Sequence, residues 1–388
     1  MKQRRYSGLQ MLLAALAGGM LALASGILAL WLVLGPHALS LLSAWGLVRA
    51  EFVGDYDSDT AIDSALDGMV KGLGDRWSYY LTAEGYASTT QRRNNAYVGI
   101  GVTVDYVDER GLRIVEVREG TPAGEAGLLP GEIITAVDGA SVAGEAQETG
   151  ADRIQGEAGT DVTLTLLNEN EESRQVTLTR QQVQTPSVSE AQLLEGDVGY
   201  IKLDNFYSGS ARELCDAVDS LMDEGACGFV FDMRNNGGGY VSELTEMLDH
   251  LLPEGPIFRS QTKSGKEEVT YSDESCVDLP FAVLVNGDTY SAAEFFAAQL
   301  QESVGAAVVG EYTSGKGYSQ QTILLPHGGA LNISTGKYTT GAGVSLVGTG
   351  LNLDAEVSLT EEQRSDFLLG ALDLSEDPQF QKALEYLK

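Results

Sequence analysis

The stretch Phe281–Glu302 reads FAVLVNGDTYSAAEFFAAQLQE, an apolar run followed by a helical pattern. The run Phe281–Asn286 is short and apolar, which is typical of a buried strand, whereas Ala292–Glu302 has the composition of a helix. The same alternation continues on both sides, in the runs Gly228–Asp232, Val241–Leu252 and Ala306–Gly310. Because strands alternate with helices, the sequence predicts an α/β core.

The region upstream of this core has a different texture. Short β-rich runs at Leu112–Val117 and Ile133–Val137 are separated by turn pairs such as Pro130-Gly131. Two further alternating runs, Val162–Leu167 and Gln175–Thr179, close the region. The pattern predicts a compact β-rich module before the core.

The N-terminus carries an apolar stretch, Leu9–Leu34, that contains no charge and is preceded by the basic residues Lys2, Arg4 and Arg5. It is long enough to span a bilayer, and longer than the apolar region of a secretory signal. We therefore expect an uncleaved anchor, with residues 1–8 in the cytoplasm and the bulk of the chain outside. Helical spacing of apolar residues over Asp59–Leu73 predicts a helix after the anchor.

Composition limits the possible partners. The chain has 388 residues and a formal net charge of −31, so two or three domains are expected and nucleic acid or an anionic membrane surface is an unfavourable partner. Three cysteines, Cys215, Cys227 and Cys276, have neither CxxC nor zinc-ligand spacing. They predict neither a disulfide framework nor a metal site.

Ser291 lies where the predicted strand meets the predicted helix, followed along the chain by Lys316 between two glycines. A serine at such a junction is close to the free N–H groups of a helix start, which can hold an oxyanion. A desolvated lysine can be neutral and can take the proton of the hydroxyl, so the pair suggests a serine peptidase with a lysine base. The structural alternatives are that Ser291 is an N-cap with Glu294 completing a capping box, and that Lys316 is a solvated loop lysine.

Histidine is a poor candidate for the base. His37 borders the apolar stretch and His250 falls within a helical pattern, which leaves His327, in a predicted turn, as the alternative base.

Other motifs serve as comparisons for the Ser291–Lys316 pair. Ser260-Gln-Thr-Lys263 and Ser334-Thr-Gly-Lys337 have the S-x-x-K spacing of penicillin-binding proteins, but neither opens a helix. The segment Gly310–Lys316 matches most of a phosphate-binding P-loop and fails at Gly317, where a hydroxyl is needed for magnesium.

The glycines of Asp232–Gly239 follow a predicted strand. Consecutive glycines let backbone N–H groups approach a ligand closely, although they are equally suited to a tight turn braced by Asp232 and Arg234.

Taken together, these motifs resemble the carboxy-terminal processing peptidases, also called tail-specific proteases. The matching elements are Asp232–Gly239 as D-x-R-x-N-x-G-G, Thr289–Glu294 as the nucleophile segment, and Gly315-Lys316-Gly317 followed by Gln320. In addition, Gly68–Tyr80 is similar to the family's helical segment and Tyr97–Arg180 to its PDZ domain.

The resemblance implies a multidomain α/β (α+β) protein: a crotonase/ClpP-like α/β serine-protease core with an inserted β-rich PDZ domain and an N-terminal transmembrane helix. The expected division is residues 1–8 cytoplasmic, 9–34 transmembrane, 35–94 helical, 95–182 PDZ domain, and 183–388 peptidase core with a C-terminal helical tail.

The resemblance also implies a role for each residue of the catalytic site. Ser291 is expected to be the nucleophile, Lys316 the general base and Gln320 the residue that orients the lysine. The oxyanion is expected to bind the N–H groups of Ala292 and Gly238, with Gly237 as an alternative register. No metal or organic cofactor is implied.

In the PDZ-like region, the residues Val98, Gly99, Ile100 and Gly101 resemble the loop that binds a terminal carboxylate, although these glycines also suit a bulged edge strand. The expected partners are proteins or peptides with exposed apolar C-termini, the membrane through the N-terminal helix, and a homo-oligomer or an activating partner. The rival function is a catalytically silent, membrane-tethered PDZ adaptor. The segment Asp75-Arg76-Trp77-Ser78-Tyr79-Tyr80 replaces the family's more common D-P-x-S pattern, a change expected to alter local packing more than catalysis.

Overall fold

The protein is described by a computed structural model that covers residues 8–168 and 170–388. The predicted cytoplasmic residues Lys2, Arg4 and Arg5 lie outside the described residues. The chain divides into two compact units, Met1–Ala65 and Leu66–Lys388.

Helices make up most of the described part of the first unit: α1 (Gly8–Leu34), α2 (Ala38–Glu51) and the start of α3 (Ser58–Lys71). The span Met11–Ala29 within α1 is long and apolar enough to cross a membrane. This composition suits a membrane anchor or a secretory signal. The helix predicted over Asp59–Leu73 is confirmed as α3.

The β-rich module lies early in the second unit, after β1 (Tyr79–Leu81) and α4 (Ala83–Arg93). Its elements are β2 (Ala96–Gly99), β3 (Val102–Asp105), β4 (Leu112–Val117), α5 (Pro122–Glu125), β5 (Ile133–Val137), β6 (Ala140–Ser141), α6 (Gln147–Ile154), β7 (Asp161–Leu167), β8 (Ser173–Thr179) and β9 (Gln181–Gln184). The sheet has the order β3-β4-β5-β7-β8, with β6 on β5, and β2 pairs with β9 separately. Strand β3 therefore forms an edge of the sheet.

The core follows. Its elements are β10 (Val188–Leu194), β11 (Val198–Leu203), α7 (Ser210–Glu224), β12 (Gly228–Asp232), α8 (Val241–Leu251), β13 (Gly255–Thr262), β14 (Glu267–Ser272), β15 (Phe281–Val285), α9 (Ala292–Val304), β16 (Ala307–Gly310), β17 (Tyr318–Leu324), β18 (Ala330–Thr339), β19 (Ala355–Glu356), α10 (Glu361–Leu368) and α11 (Pro378–Tyr386). The main sheet has the order β10-β11-β12-β15-β16-β19 and is parallel except for β10. The predicted α/β core is confirmed.

Both faces of the main sheet are covered. Successive side chains of a strand point to opposite faces. Phe229 and Phe231 belong to the apolar cluster shared with α7, α8 and α9, whereas Val230 packs with Phe380 of α11. Burial on both faces explains why these strands read as continuous apolar runs.

A second sheet, which the sequence analysis did not predict as a unit, is antiparallel. It has the order β1-β18-β13-β14, with β17 also paired to β18. It carries Gln320 on β17 and Tyr338 on β18.

Candidate active site

Three neighbouring parallel strands bring the sequence motifs together. Strand β12 pairs with β15, and β15 pairs with β16, all in the same direction. Their carboxyl ends therefore meet at one edge of the sheet, where α/β proteins place their ligands. The turn Asp232–Gly239 follows β12, Ser291 follows β15, and Lys316 follows β16.

Ser291 has an unusual backbone. Its φ is 62° and its ψ is −127°, and it precedes the first residue of α9. Such a conformation costs a residue with a side chain about 1–3 kcal/mol and is found mainly where function requires it. The Ser291 N–H donates to the Glu294 carboxylate at 3.0 Å, so serine and glutamate are paired as the capping alternative expected. Ser291 Oγ also lies 3.0 Å from the Tyr338 hydroxyl.

The fully buried Glu294 carboxylate joins the serine loop to the lysine loop. Besides the Ser291 N–H, it accepts from the N–H of Gly315 at 2.8 Å, the N–H of Lys316 at 2.9 Å and the Thr313 hydroxyl at 2.6 Å. Hydrogen bonds to an ionised group are stronger than neutral ones. One carboxylate therefore fixes the backbone on both sides of the site.

The glycine-rich turn packs directly against the serine. Gly238 has a φ of 77°, and a Cβ added there would lie 2.8 Å from the Ala292 nitrogen and 2.9 Å from the Ser291 Cβ. The position therefore requires glycine. The two predicted oxyanion donors differ: the Gly238 N–H donates to Asn236 Oδ1 at 2.8 Å, whereas the Ala292 N–H has no acceptor within residues 8–168 and 170–388.

The start of this turn is anchored by a buried ion-pair network. Arg234 Nη1 lies 2.6 Å from Asp377, and its guanidinium also pairs with Asp232. The Tyr200 hydroxyl donates to Asp232 at 2.9 Å. Asp232 and Arg234 therefore brace the turn, and they connect it to the N-cap of α11.

Lys316 lies half-buried against aromatic rings. Its Nζ is 4.6 Å from the centre of the Trp77 ring and 5.6 Å from that of Tyr290. In the described part of the chain, this ammonium has no hydrogen-bond or ion-pair partner. Burial, followed by the positive charge of Arg93, lowers the pKa of Lys316 to about 8, although Glu294 and Asp75 oppose the shift.

One cavity of about 880 Å³, which we call the cleft, is lined by Ser291, Lys316, Gln320 and Gly238. The Gln320 amide nitrogen donates to the Tyr318 carbonyl at 2.8 Å and to Ser334 Oγ at 3.1 Å. Gln320 is thus held by its own strand and by β18 rather than by the lysine.

Tyr338 is a site residue that the sequence analysis missed. It is only 4% exposed, and burial raises the pKa of its hydroxyl to about 12, so it stays protonated at neutral pH. No motif marks it, because it reaches Ser291 through the unpredicted antiparallel sheet.

Comparison with known proteins gives the family. Residues 197–357 match peptidase family S41, and residues 113–168 match the PDZ domain. The chain is 30% identical over 330 residues to the carboxy-terminal processing protease CtpA of Bacillus subtilis (strain 168), covering 84% of this chain and 70% of that protein. The chain belongs to peptidase family S41. The S41 proteases are serine proteases, and the resemblance inferred from the sequence motifs is confirmed.

Two further relatives give the extent of the match. A probable CtpA-like serine protease of Staphylococcus aureus (strain N315) is 30% identical over 325 residues, which are 83% of this chain but 65% of that protein. A putative S41 protease structure from Bacteroides fragilis NCTC 9343 covers 86% of this chain and 98% of its own, with a TM-score of 0.52 and 17% identity. The latter shares the S41 fold. The predicted boundaries 95–182 and 183–388 remain predictions.

The alternative base and the S-x-x-K and P-loop-like motifs lack the local structure that their functions require. His327 is exposed in the turn between β17 and β18. Ser334 and Lys337 both lie within β18, and Lys263 follows the end of β13. The P-loop-like segment leads into strand β17 instead of a helix.

The predicted peptide-binding loop lies beside a small groove. Gly99, Ile100 and Gly101 line a cavity of about 170 Å³, whose other residues include Val102, Val104, Tyr106 and Ile154. Val98 lies half-buried on β2 outside this lining. The N–H groups of Ile100 and Gly101 donate to no acceptor in the part of the chain that the structure describes. Gly101 has a φ of 87°, and a Cβ there would lie 2.2 Å from Thr121 Oγ1, so only glycine fits.

Proposed function

We propose that this S41 protease is a membrane-anchored endopeptidase that cleaves protein C-terminal tails with Ser291 as nucleophile and Lys316 as base. The observation that carries the proposal is a strained serine and a desolvated lysine in one cleft, with their loops joined by Glu294. A lysine with a pKa of about 8 is partly neutral near physiological pH, as a general base must be.

In the acylation step, Ser291 Oγ forms a bond to the peptide carbonyl carbon while its proton passes to Lys316 Nζ. The tetrahedral intermediate then breaks the C–N bond, and the lysine returns that proton to the leaving amine. Water repeats the sequence on the acyl-enzyme. Because Nζ rests on Trp77 and Tyr290, the lysine side chain moves toward Ser291 when substrate is bound, and Gln320 orients it there.

The Ala292 N–H supports the developing oxyanion, since it is a free first-turn amide next to the nucleophile. Gly238 supplies the second donor after its N–H leaves Asn236 Oδ1.

The PDZ domain captures the tail. The apolar side chain of the last residue enters the groove at Ile100, and its carboxylate accepts from the N–H groups of Ile100 and Gly101. The peptide backbone then pairs with β3, the edge strand of the sheet. The helix α1 holds this machinery at the outer face of the membrane as an uncleaved anchor.

The proposal is tested by digestion of a loosely folded protein with an apolar C-terminus, using the full chain in detergent. Wild type and His327→Ala should cleave it, and Ser291→Ala should not. Amidation of the substrate C-terminus should slow cleavage by removing the carboxylate that the PDZ domain binds. Tail binding without cleavage by wild type would favour the adaptor, and loss of activity in His327→Ala would favour the histidine base.

A further inference from the structure

The cleft is cationic in a chain that is otherwise strongly acidic. The sequence has 56 acidic and 25 basic residues, yet the described residues that line the cleft include no aspartate or glutamate. Its lining includes four cations: Arg76, Arg92, Arg93 and Lys316. A cleft lined by charges of one sign focuses the electrostatic field on its contents.

None of these cations forms an ion pair with a carboxylate of the described chain. Arg76 donates to the Ser314 carbonyl at 3.0 Å and lies over the Trp77 ring. Arg92 contacts the Thr89 hydroxyl at 3.4 Å, and Arg93 contacts the Tyr79 hydroxyl at 3.5 Å. Elsewhere, Arg110, Arg174, Arg212, Arg234 and Arg364 each pair with a carboxylate.

Local structure explains only part of this cluster. Arg92 and Arg93 are in the last turn of α4, where cations are favourable for the helix dipole. Arg76 and Lys316 come from other segments, so the convergence of all four charges on one cavity needs a further reason.

Arg92 also lies on the route from the PDZ groove to the serine. It lines a second cavity, of about 540 Å³, together with Tyr97 from β2 and with Gly238 beside the nucleophile; among the described residues this lining has one carboxylate, Asp204. Consider a tail whose C-terminus is bound in the PDZ groove and whose scissile bond is at Ser291. The residues between that bond and the apolar C-terminus then lie along this cavity.

We infer that the enzyme selects tails with acidic residues between the cleaved bond and the apolar C-terminus. Their carboxylates pair with Arg92 and Arg93, and with Arg76 where the chain reaches it. The inference rests on the proposed function and adds a substrate class to it. The net charge of −31 disfavours the binding of an acidic peptide, so a preference for carboxylates is expected to originate in this group of cations.

The test compares two peptides that end in the same apolar residues, preceded by three glutamates or by three glutamines. Binding to the full-length Ser291→Ala variant, measured by fluorescence anisotropy, reports the charge preference without cleavage. Each partly exposed pair is worth about a twofold to fivefold change in affinity, so the glutamate peptide should bind about tenfold more tightly at low salt. The advantage should fall as salt rises.

The matched variants locate the effect. Arg92→Gln, made in the Ser291→Ala protein, should reduce the glutamate advantage about threefold. Arg212→Gln makes the same change in net charge at an exposed arginine of α7 that lines neither cavity, and it should leave the advantage intact. Equal binding of the two peptides, or equal effects of the two substitutions, would overturn the inference.

Two further arms separate the possible outcomes. An amidated glutamine peptide that binds much more weakly than its free acid, with no glutamate advantage, would assign the cations to the terminal carboxylate and overturn the acidic-residue preference. Cleavage of the same peptides by the wild type tests the proposed function independently: a glutamate advantage in binding without any cleavage would contradict the peptidase but not the preference.

Discussion

The loops that carry Ser291 and Lys316 are held in different ways. The serine is fixed by its backbone, with a φ of 62°, an N–H bonded to Glu294 and a glycine turn packed against its Cβ. The lysine backbone is also bonded to Glu294, but its ammonium rests on aromatic rings without a polar partner among the described residues.

Because of this difference, the serine loop determines the geometry of the site and the surroundings of Lys316 determine the ionisation of the base. The nucleophile loop sets the direction of attack, because it has one backbone conformation that packing determines. The ionisation of Lys316 depends on its surroundings, because burial and nearby charges determine what fraction of the amine is neutral. Changes on the serine side should therefore lower activity at every pH, whereas changes around the lysine should shift the pH at which activity appears.

Removal of the base is the most severe test of the lysine side. Lys316→Met should lower kcat/KM about a thousandfold, since a positioned general base contributes roughly 10²–10⁴ in rate. The fold should be retained, because methionine suits the apolar contact with Trp77, and circular dichroism can check this. Lys263→Met, at the exposed S-x-x-K lysine, is the matched control and should remain active. Similar activity in both variants would exclude Lys316 as the base.

Crowding the nucleophile is the corresponding test of the serine side. Gly238→Ala should lower kcat about a hundredfold at every pH, because displacement of an oxyanion donor has effects of that order. Its left-handed backbone should also cost about 1–2 kcal/mol of stability. Gly209→Ala, with a φ of 87° and open space around it, should show the stability loss without the loss of activity. Full activity of Gly238→Ala would show that the glycine-rich turn does not contribute to catalysis.

A finer test of the serine side concerns the hydrogen bond between the Tyr338 hydroxyl and Ser291 Oγ. Tyr338→Phe removes one hydrogen bond to Ser291 Oγ, and a net value of about 1 kcal/mol predicts an approximately fivefold lower kcat. Tyr312→Phe, at an exposed tyrosine, should change nothing. A faster Tyr338→Phe enzyme would mean that this hydrogen bond restrains the serine instead of preparing it.

The smallest expected effect concerns the charges around the lysine. Arg93 lowers the pKa of Lys316, so Arg93→Gln should raise that pKa. In a plot of kcat/KM against pH, the rising limb, where Lys316 loses its proton, should therefore move to higher pH. At alkaline pH the rates of variant and wild type should converge on a neutral substrate. Arg212→Gln, at an arginine that does not line the cleft, should leave the profile in place. An unchanged Arg93→Gln profile would mean that Lys316 does not control the limb.

The strands that lead to the candidate site were predictable from the sequence, whereas the antiparallel sheet that carries Gln320 and Tyr338 was not. The strands β12, β15 and β16 are buried on both faces, so their apolar runs were readable, and their motifs follow the strand ends directly. The antiparallel sheet has half-exposed strands and long-range pairing such as β1 with β18, which local patterns do not encode. For this reason Tyr338 was missed.

The segment Asp75–Tyr80, in which Arg76 stands in place of the family's proline, shows the same limit. From the sequence, this segment is expected to alter packing more than catalysis. In the structure the Arg76 guanidinium lies 4.3 Å and the Lys316 ammonium 4.6 Å from the centre of the Trp77 ring, so this ring adjoins the candidate base. Such a contact depends on which loops meet, and no residue spacing along the chain reports it.

The most direct test of the Ser291–Lys316 pair is the rate at which a serine-directed acylating probe labels the full-length protein as a function of pH. We expect labelling at Ser291, a rate that rises with an apparent pKa of about 8, and its loss in Lys316→Met. Labelling at the same rate in wild type and Lys316→Met across this pH range would contradict a lysine base.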